Sequence, residues 1–364
     1  MSLSFELLAS DNKARRGRIH TSRGSIETPV FMPVGTRGAV IHLDQRDYEQ
    51  LELEVVLGNT YHLMLRPGAE VIEELGGLHS FVSWDGHMLT DSGGFQVMSL
   101  NENVKIDDDG VTFTSIYDGS KLRFTPEDAV ATQQQIGADI QMALDVCPAL
   151  PASQDVVIKA MERTHEWAAR AKAAHHRSDQ SLFGIVQGGI DPTLRTKSAK
   201  HLASLDLPGY GIGGLSVGES HDEMMPALSA TTAELPEDRP RYLMGVGDPA
   251  RIVDAIAVGV DMFDCVLPTR LARHGTVLTS GGKLNLRNAK HARDDEPLDM
   301  LNPMSNSFSR AYLRHLIQVK EPTAARIATM HNLWFLTDLV KKARLAIEDG
   351  SYESFRIEIL ETWR

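Results

Sequence analysis

Short runs of apolar residues alternate along most of this chain with longer stretches of helical period. Runs at Val30 to Val34, Val55 to Gly58, Met88 to Thr90, Ile140 to Leu144, Leu182 to Val186, Tyr210 to Ile212, Tyr242 to Val246 and Val260 to Phe263 are mostly apolar instead of alternating regularly with polar residues. Strands buried on both faces of a parallel sheet have this character. Between two of them, Val157, Ala160, Met161, Thr164, Ala168 and Ala171 keep spacings of three and four, so one face of a helix can lie against a sheet. Thr125-Pro126, Asp191-Pro192 and Asp248-Pro249 each set a capping side chain before a proline, whose missing N–H costs nothing in a first helical turn. This repeated unit predicts an α/β fold, a (β/α)8 TIM barrel.

Some segments stand outside the repeat. The opening, with turn signals at Ser10-Asp11-Asn12 and Ser22-Arg23-Gly24, predicts a β-hairpin leading into Thr28-Pro29. Val104 to Phe124 alternates and turns at Asp108-Asp109-Gly110 and Tyr117-Asp118-Gly119, which predicts a β insertion after the third barrel strand. Its acidic turn lacks the Glu and flanking helices of a calcium loop and reads as solvated. Gly281 to Ser309 is irregular, and Thr323 to Asp349 predicts a long helix closed by Gly350, part of a C-terminal helical lobe. Parallel barrels use more than roughly 200 residues as one unit, so residues 1–364 are expected to form a single catalytic domain, with 281–309 as its irregular lobe.

Composition narrows the classes. Met1 to Ala9 lack a basic run followed by an apolar stretch, and later apolar runs are broken by charge, so the expectation is a cytoplasmic protein without a membrane segment. Two cysteines, Cys147 and Cys265, are too few for a disulfide framework or a four-thiolate metal site. The net charge of −12 argues against general polyanion binding. Distribution changes that picture: from Cys265 to Arg293 there is no acid, while Arg270, Arg273, Lys283, Arg287, Lys290 and Arg293 are basic and His274 and His291 stand among them. Such a strip can be a solvated face or a phosphate site. Its place, directly after a candidate catalytic Asp, favours the phosphate site.

The working residues of a parallel barrel gather where strands end. Here Asp91 closes the third strand, Asp145 the fourth, Gln187 the fifth and Asp264 the eighth; Gly213-Gly214 follows the sixth, and Met244-Gly245 lies in the seventh. Taken singly, an Asp is a helix cap or salt-bridge acceptor, Gly-Gly a tight turn and Met244 core. Several carboxylates on one rim cost stability unless a ligand or a function compensates. Guanine would suit them. A carboxylate such as Asp145 meets the N1-H and amine edge, and Gln187 with the main chain at Gly213 and Gly214 meets O6 and N7, while Phe95 and Met244 cover the faces. The residues alone reach a purine-like pocket with two spare carboxylates.

Asp91-Ser92-Gly93-Gly94-Phe95-Gln96, Gly184-Ile185-Val186-Gln187-Gly188-Gly189, Gly213 to Glu219, Tyr242 to Gly247 and Asp261 to Arg270 closely resemble, in order, the motifs of tRNA-guanine transglycosylases. The resemblance runs from about Arg18 to the C-terminus. It implies a barrel enzyme that replaces guanine at the anticodon wobble position with a 7-deazaguanine on the route to queuosine. Carried over by motif, Asp264 resembles the nucleophile and Asp91 the general acid/base. Asp145, Gln187, Gly214 and Leu215 then resemble the base readers, with Phe95 and Met244 as stacking walls and Cys147 near the pocket. Arg270, Arg273, Lys283 and Arg287 are expected to hold tRNA phosphates. Leu215-Ser216-Val217 resembles the bacterial wall for 7-aminomethyl-7-deazaguanine, as opposed to queuine.

The family also carries a zinc site of three cysteines and a histidine. Here Pro297 to Arg310 contains no cysteine and His331 stands alone, so no metal or other cofactor is expected. Met300, Leu301, Met304 and Phe308 are candidates to replace the ion by packing. Since the zinc lobe helps to form the family's dimer, a homodimer is left open. Two other classes conflict with the residues. A non-catalytic partner subunit conflicts with the retention of Asp91 and Asp264, and a metal-dependent hydrolase conflicts with strand ends that supply no histidine.

Overall fold

The computed structural model describes residues 3–100, 104–149 and 151–364. The chain opens with three antiparallel strands, β1 (Leu3–Asp11), β2 (Ala14–Thr21) and β3 (Ser25–Thr28). The expected hairpin is thus a three-stranded sheet, because the second turn returns the chain along β2 from Ser25 to Thr28. Its inner side chains Leu3, Phe5, Ile19 and Ile26 form one apolar cluster with the barrel residues Val30, Met32, Phe183, Tyr242 and Met262. The sheet therefore closes the barrel's N-terminal end and leaves the other end free for chemistry.

The barrel strands are β4 (Val30–Gly35), β5 (Val55–Gly58) and β6 (His87–Thr90), followed, after an insertion, by five more. The insertion is a small antiparallel sheet of β7 (Lys105–Ile106), β8 (Val111–Thr114) and β9 (Lys121–Phe124), as its alternation predicts. Its acidic turn is tied to arginines: Asp107 pairs with Arg123 and Asp108 with Arg163. The barrel resumes with β10 (Ile140–Met142), β11 (Ser181–Val186), β12 (Gly209–Ile212), β13 (Arg241–Leu243) and β14 (Met262–Cys265). All eight pair in parallel and close in the order β10-β11-β12-β13-β14-β4-β5-β6, the (β/α)8 barrel that the apolar runs predict.

Three strand ends differ from expectation. β10 stops at Met142, so Asp145 lies three residues beyond it; β13 stops at Leu243, so Met244 and Gly245 follow the strand; β14 runs to Cys265 and carries Asp264 within it. Apolarity marks burial, and in β10 and β13 it continues past the strand's end, whereas in β14 the ladder with β4 continues past the apolar run. Thr125 caps helix Pro126–Ile136 in a capping box, and Asp191 caps helix Pro192–Ser204. Asp248 precedes helix Pro249–Ala257 without a side-chain cap bond, because its carboxylate faces Lys283.

Beyond the barrel, β15 (Thr276–Thr279) and β16 (Gly282–Asn285) form a hairpin, so the segment expected to be irregular begins with a strand. Helix Pro322–Glu348 follows the predicted limits, and Gly350 adopts a φ of +68° just past its end.

Candidate active site

A cavity of about 790 Å3 lies at the C-terminal ends of the barrel strands. Asp91, Phe95, Asp145, Cys147, Gln187, Gly214, Leu215, Met244, Asp264 and Arg270 all line it. Arg273, Lys283 and Arg287 do not.

The two carboxylates differ in their bonding. Oδ1 of Asp264 accepts the Tyr242 hydroxyl at 2.6 Å and the Gly245 amide at 2.7 Å. Oδ2 has no hydrogen-bond partner among the described residues. One oxygen is fixed and the other is available, the arrangement a carboxylate nucleophile requires. Burial raises the pKa of Asp264, while the hydroxyl and amide donors pull it down. Tyr242 itself is held well above its usual pKa by burial and by the Asp264 charge, so it remains a donor. Gly245 has a φ of +77°, a conformation that suits glycine and turns its N–H onto the carboxylate.

Asp91 follows β6. Its Oδ2 accepts Asn59 Nδ2 at 2.5 Å, and its Oδ1 accepts the amides of Thr60 at 2.9 Å and Gly93 at 3.1 Å. Burial is the main cause that raises its pKa, to about 7; the amides oppose this and the Asp264 charge adds to it. A carboxyl titrating near neutrality can give up a proton and take it back.

The base-reading candidates sit under the β10 to β12 side. Gln187 Nε2 donates to Asp145 Oδ2 at 2.7 Å, and burial raises the Asp145 pKa to about 6. A Cβ at Gly213 would lie 2.8 Å from Gln187 Nε2, and one at Gly214, where φ is +66°, only 2.3 Å from Gln187 Oε1. Both glycines are therefore required for the amide to lie where it does. Leu215 is buried, whereas Phe95 is 51% exposed at the mouth. Met244 packs on the barrel's inner cluster. Burial pushes the Cys147 thiol up to about 12, which keeps it neutral.

The cationic strip is less uniform than its sequence suggests. Arg270, Arg273 and Arg287 are exposed and have no carboxylate partner among the described residues. Lys283 is tied to Asp248 at 3.2 Å, so it is not a free phosphate ligand. His291 is buried against Asp294 at 2.7 Å and is no part of the surface. Residues missed in the sequence also line the cavity: Asn59, His62, Tyr242 and Arg251. Asn59 stands directly after β5, so the strand-end rule that found Asp91 could have found it too.

A family model described as queuine tRNA-ribosyltransferase matches residues 10–364, beginning somewhat before the motifs quoted above. The chain belongs to this family. It is 52% identical over 356 residues to a queuine tRNA-ribosyltransferase of Herpetosiphon aurantiacus, covering 97% of this chain and 91% of that protein. A Halothermothrix orenii protein of the same name is 49% identical, covering 100% of this chain and 98% of its own length, and one of Rhizobium meliloti is 50% identical, covering 100% and 97%. The family is one of transferases, and this chain carries the family's fold over nearly its whole length. No helix among the described residues is long and apolar enough to cross a membrane.

The zinc ion that the resemblance implies does not fit this chain's residues. His331 is fully buried, and both ring nitrogens are engaged: Ser305 Oγ donates to Nδ1 at 2.7 Å, and Nε2 donates to the Leu278 carbonyl at 2.7 Å. Burial lowers its pKa to about 4, so the ring is neutral. Asn302 completes the contact, donating to the His331 carbonyl at 3.0 Å and accepting from the Met304 amide at 3.0 Å. The expected apolar replacement is only half right. Met304 and Phe308 pack inward, but Met300 and Leu301 are 70% and 69% exposed. Hydrogen bonds to His331, together with packing of Leu298 and Phe308 in one cluster with Ile327 and Ala328, tie this lobe to helix Pro322–Glu348.

Proposed function

We propose that this chain exchanges guanine at the wobble position of a tRNA anticodon for 7-aminomethyl-7-deazaguanine, in two displacements with Asp264 as nucleophile. The observation that carries this reading is the shared cavity: a half-free carboxylate at Asp264, a carboxyl near neutral pKa at Asp91, and the Asp145–Gln187 pair. Oδ2 of Asp264 bonds to the ribose anomeric carbon as the bond to guanine breaks, and Asp91 protonates the departing base. The incoming base then loses a proton to Asp91 and displaces the Asp264 carboxylate. Two inversions give retention, as in retaining glycosidases. The pocket must exclude water, because the ester would otherwise hydrolyse.

Asp145 and Gln187 read the base edge, Gly214 and Leu215 supply main-chain contacts, and Phe95 and Met244 flank the ring. Cys147 stays a neutral wall. The target base leaves its stack to enter, which an unpaired anticodon loop makes less costly. Arg270, Arg273 and Arg287 hold the neighbouring phosphates, with Lys283 a lesser contributor. The chain works without structural zinc; stoichiometric zinc in elemental analysis would remove that part.

The test is incorporation of radiolabelled guanine into unmodified tRNA by wild type, Asp264→Ala and Asp91→Ala. Wild type exchanges, and both variants lose activity by on the order of 10^3-fold or more. Equal exchange by all three would end this reading. A non-catalytic subunit would show none with any, and a queuine-using variant would exchange guanine but refuse the aminomethyl base.

A further inference from the structure

Arg195 lies in the first turn of helix Pro192–Ser204 and is 0% exposed. No carboxylate pairs with it among the described residues, and burial lowers its pKa to about 10. A cation is poorly placed at a helix N-terminus, where the peptide dipoles already present positive charge. The Glu219 carboxylate acts on it through space without an ion pair and offsets only part of the cost of burying the charge. Purely for packing, an apolar side chain would serve better.

What holds the guanidinium is a set of carbonyls around the base-reading residues. Nε donates to Gly189 O at 2.7 Å, and Nη1 donates to Val186 O at 3.0 Å and to Gly213 O at 2.8 Å. Val186 and Gly189 flank Gln187, and Gly213 precedes Gly214. Nη2 has no hydrogen-bond partner, and it lies 3.4 Å from where a Gly214 Cβ would stand.

We infer that Arg195 is a positioning residue for base recognition, one that fixes and polarises the Gly213–Gly214 peptide so that the Gly214 N–H is held toward the 6-oxo group of a bound purine. This rests on the reading above that a guanine-type base occupies the cavity. In a trans peptide the C=O and N–H point to opposite sides. A guanidinium on the Gly213 carbonyl therefore turns the Gly214 N–H away from itself, toward the side of the cavity that Cys147 lines. A thiol is a weak acceptor, so Cys147 competes poorly with a purine carbonyl for that donor. The charge-assisted bond at one end of the peptide strengthens the donor at the other. As the glycosidic bond breaks, its electron pair passes to the base and spreads onto the 6-oxo atom. The held N–H then meets growing negative charge until Asp91 delivers the proton.

The test compares guanine with 6-thioguanine, which changes only the acceptor atom to a poorer one, as inhibitors of labelled-guanine exchange by wild type, Arg195→Met and Arg195→Lys. Arg195→Met should weaken guanine about 10-fold and 6-thioguanine no more than about 2-fold, erasing the preference between them. Arg195→Lys keeps a buried charge without the three-way fork and should retain part of the preference; it also serves if the methionine variant does not fold. A merely structural arginine would lower Tm and weaken both bases alike, and that result, or an unchanged guanine constant, overturns the inference. Failure of the wild type to exchange guanine would instead overturn the function, and this inference with it.

Discussion

The floor of the cavity and its rim are built on different principles. On the β10 to β12 side, Asp145, Gln187, Gly213 and Gly214 are locked by one another and by Arg195, with a 2.7 Å bond from Gln187 to Asp145. On the outer rim after β14, Arg270, Arg273 and Arg287 are exposed and unpaired, and Phe95 stands half in solvent. A rigid floor suits recognition of one flat base, where a misplaced donor loses specificity. A loose cationic rim suits a polyanion, where charge and not register supplies affinity. The proposed reading has a chain of net charge −12 bind RNA because its positive charge is local.

The largest break in this comparison is expected at the floor. Asp145→Asn replaces an acceptor with a donor against the N1-H edge, so KM for guanine should rise by roughly 100-fold while tRNA binding by filter retention stays within about 2-fold. Loss of tRNA binding instead would merge floor and rim. At the rim, Arg270→Ala should weaken tRNA several-fold and flatten the salt dependence of log Kd by about 0.7 to 0.9, leaving the guanine constant alone. Lys283→Ala should do less, since its charge is already spent on Asp248. Equal effects from the two would show that this ion pair opens on RNA binding.

The smallest effect concerns stability. The native state holds a proton on Asp91 up to about pH 7, whereas an unfolded carboxyl releases it near 3.8. The folded pKa is the higher, so wild-type stability falls as pH rises between those values and stays reduced above them. Asp91→Asn escapes this loss. By thermal melts it should match the wild type near about pH 4 and exceed it near about pH 8; a constant difference would mean that Asp91 titrates normally.

Much of this architecture is legible in the residues. Apolar runs without alternation mark the barrel strands, and polar residues at their ends mark Asp91, Asp145, Gln187 and Asp264. The same signal misleads where apolar character outlasts the ladder. Leu243-Met244-Gly245-Val246 reads as one strand, yet Gly245 turns away at a φ of +77° to serve Asp264. Tyr242 reads as core, and only the fold brings its hydroxyl 2.6 Å from the carboxylate. Nothing near Arg195 in the sequence marks it as buried; its burial depends on three carbonyls from outside its helix. His331 invites a metal reading by motif, and its partners Ser305 and Leu278 lie 26 and 53 positions away. Partners distant in sequence leave no local pattern.

In the proposed exchange, Oδ2 of Asp264 bonds to ribose while the base is replaced. Quenching a reaction of labelled tRNA with the wild-type protein, digesting both polymers and sequencing the modified peptide tests it directly. A ribosyl adduct on Asp264, absent from Asp264→Ala, is the expected result. An adduct on any other side chain would contradict the account.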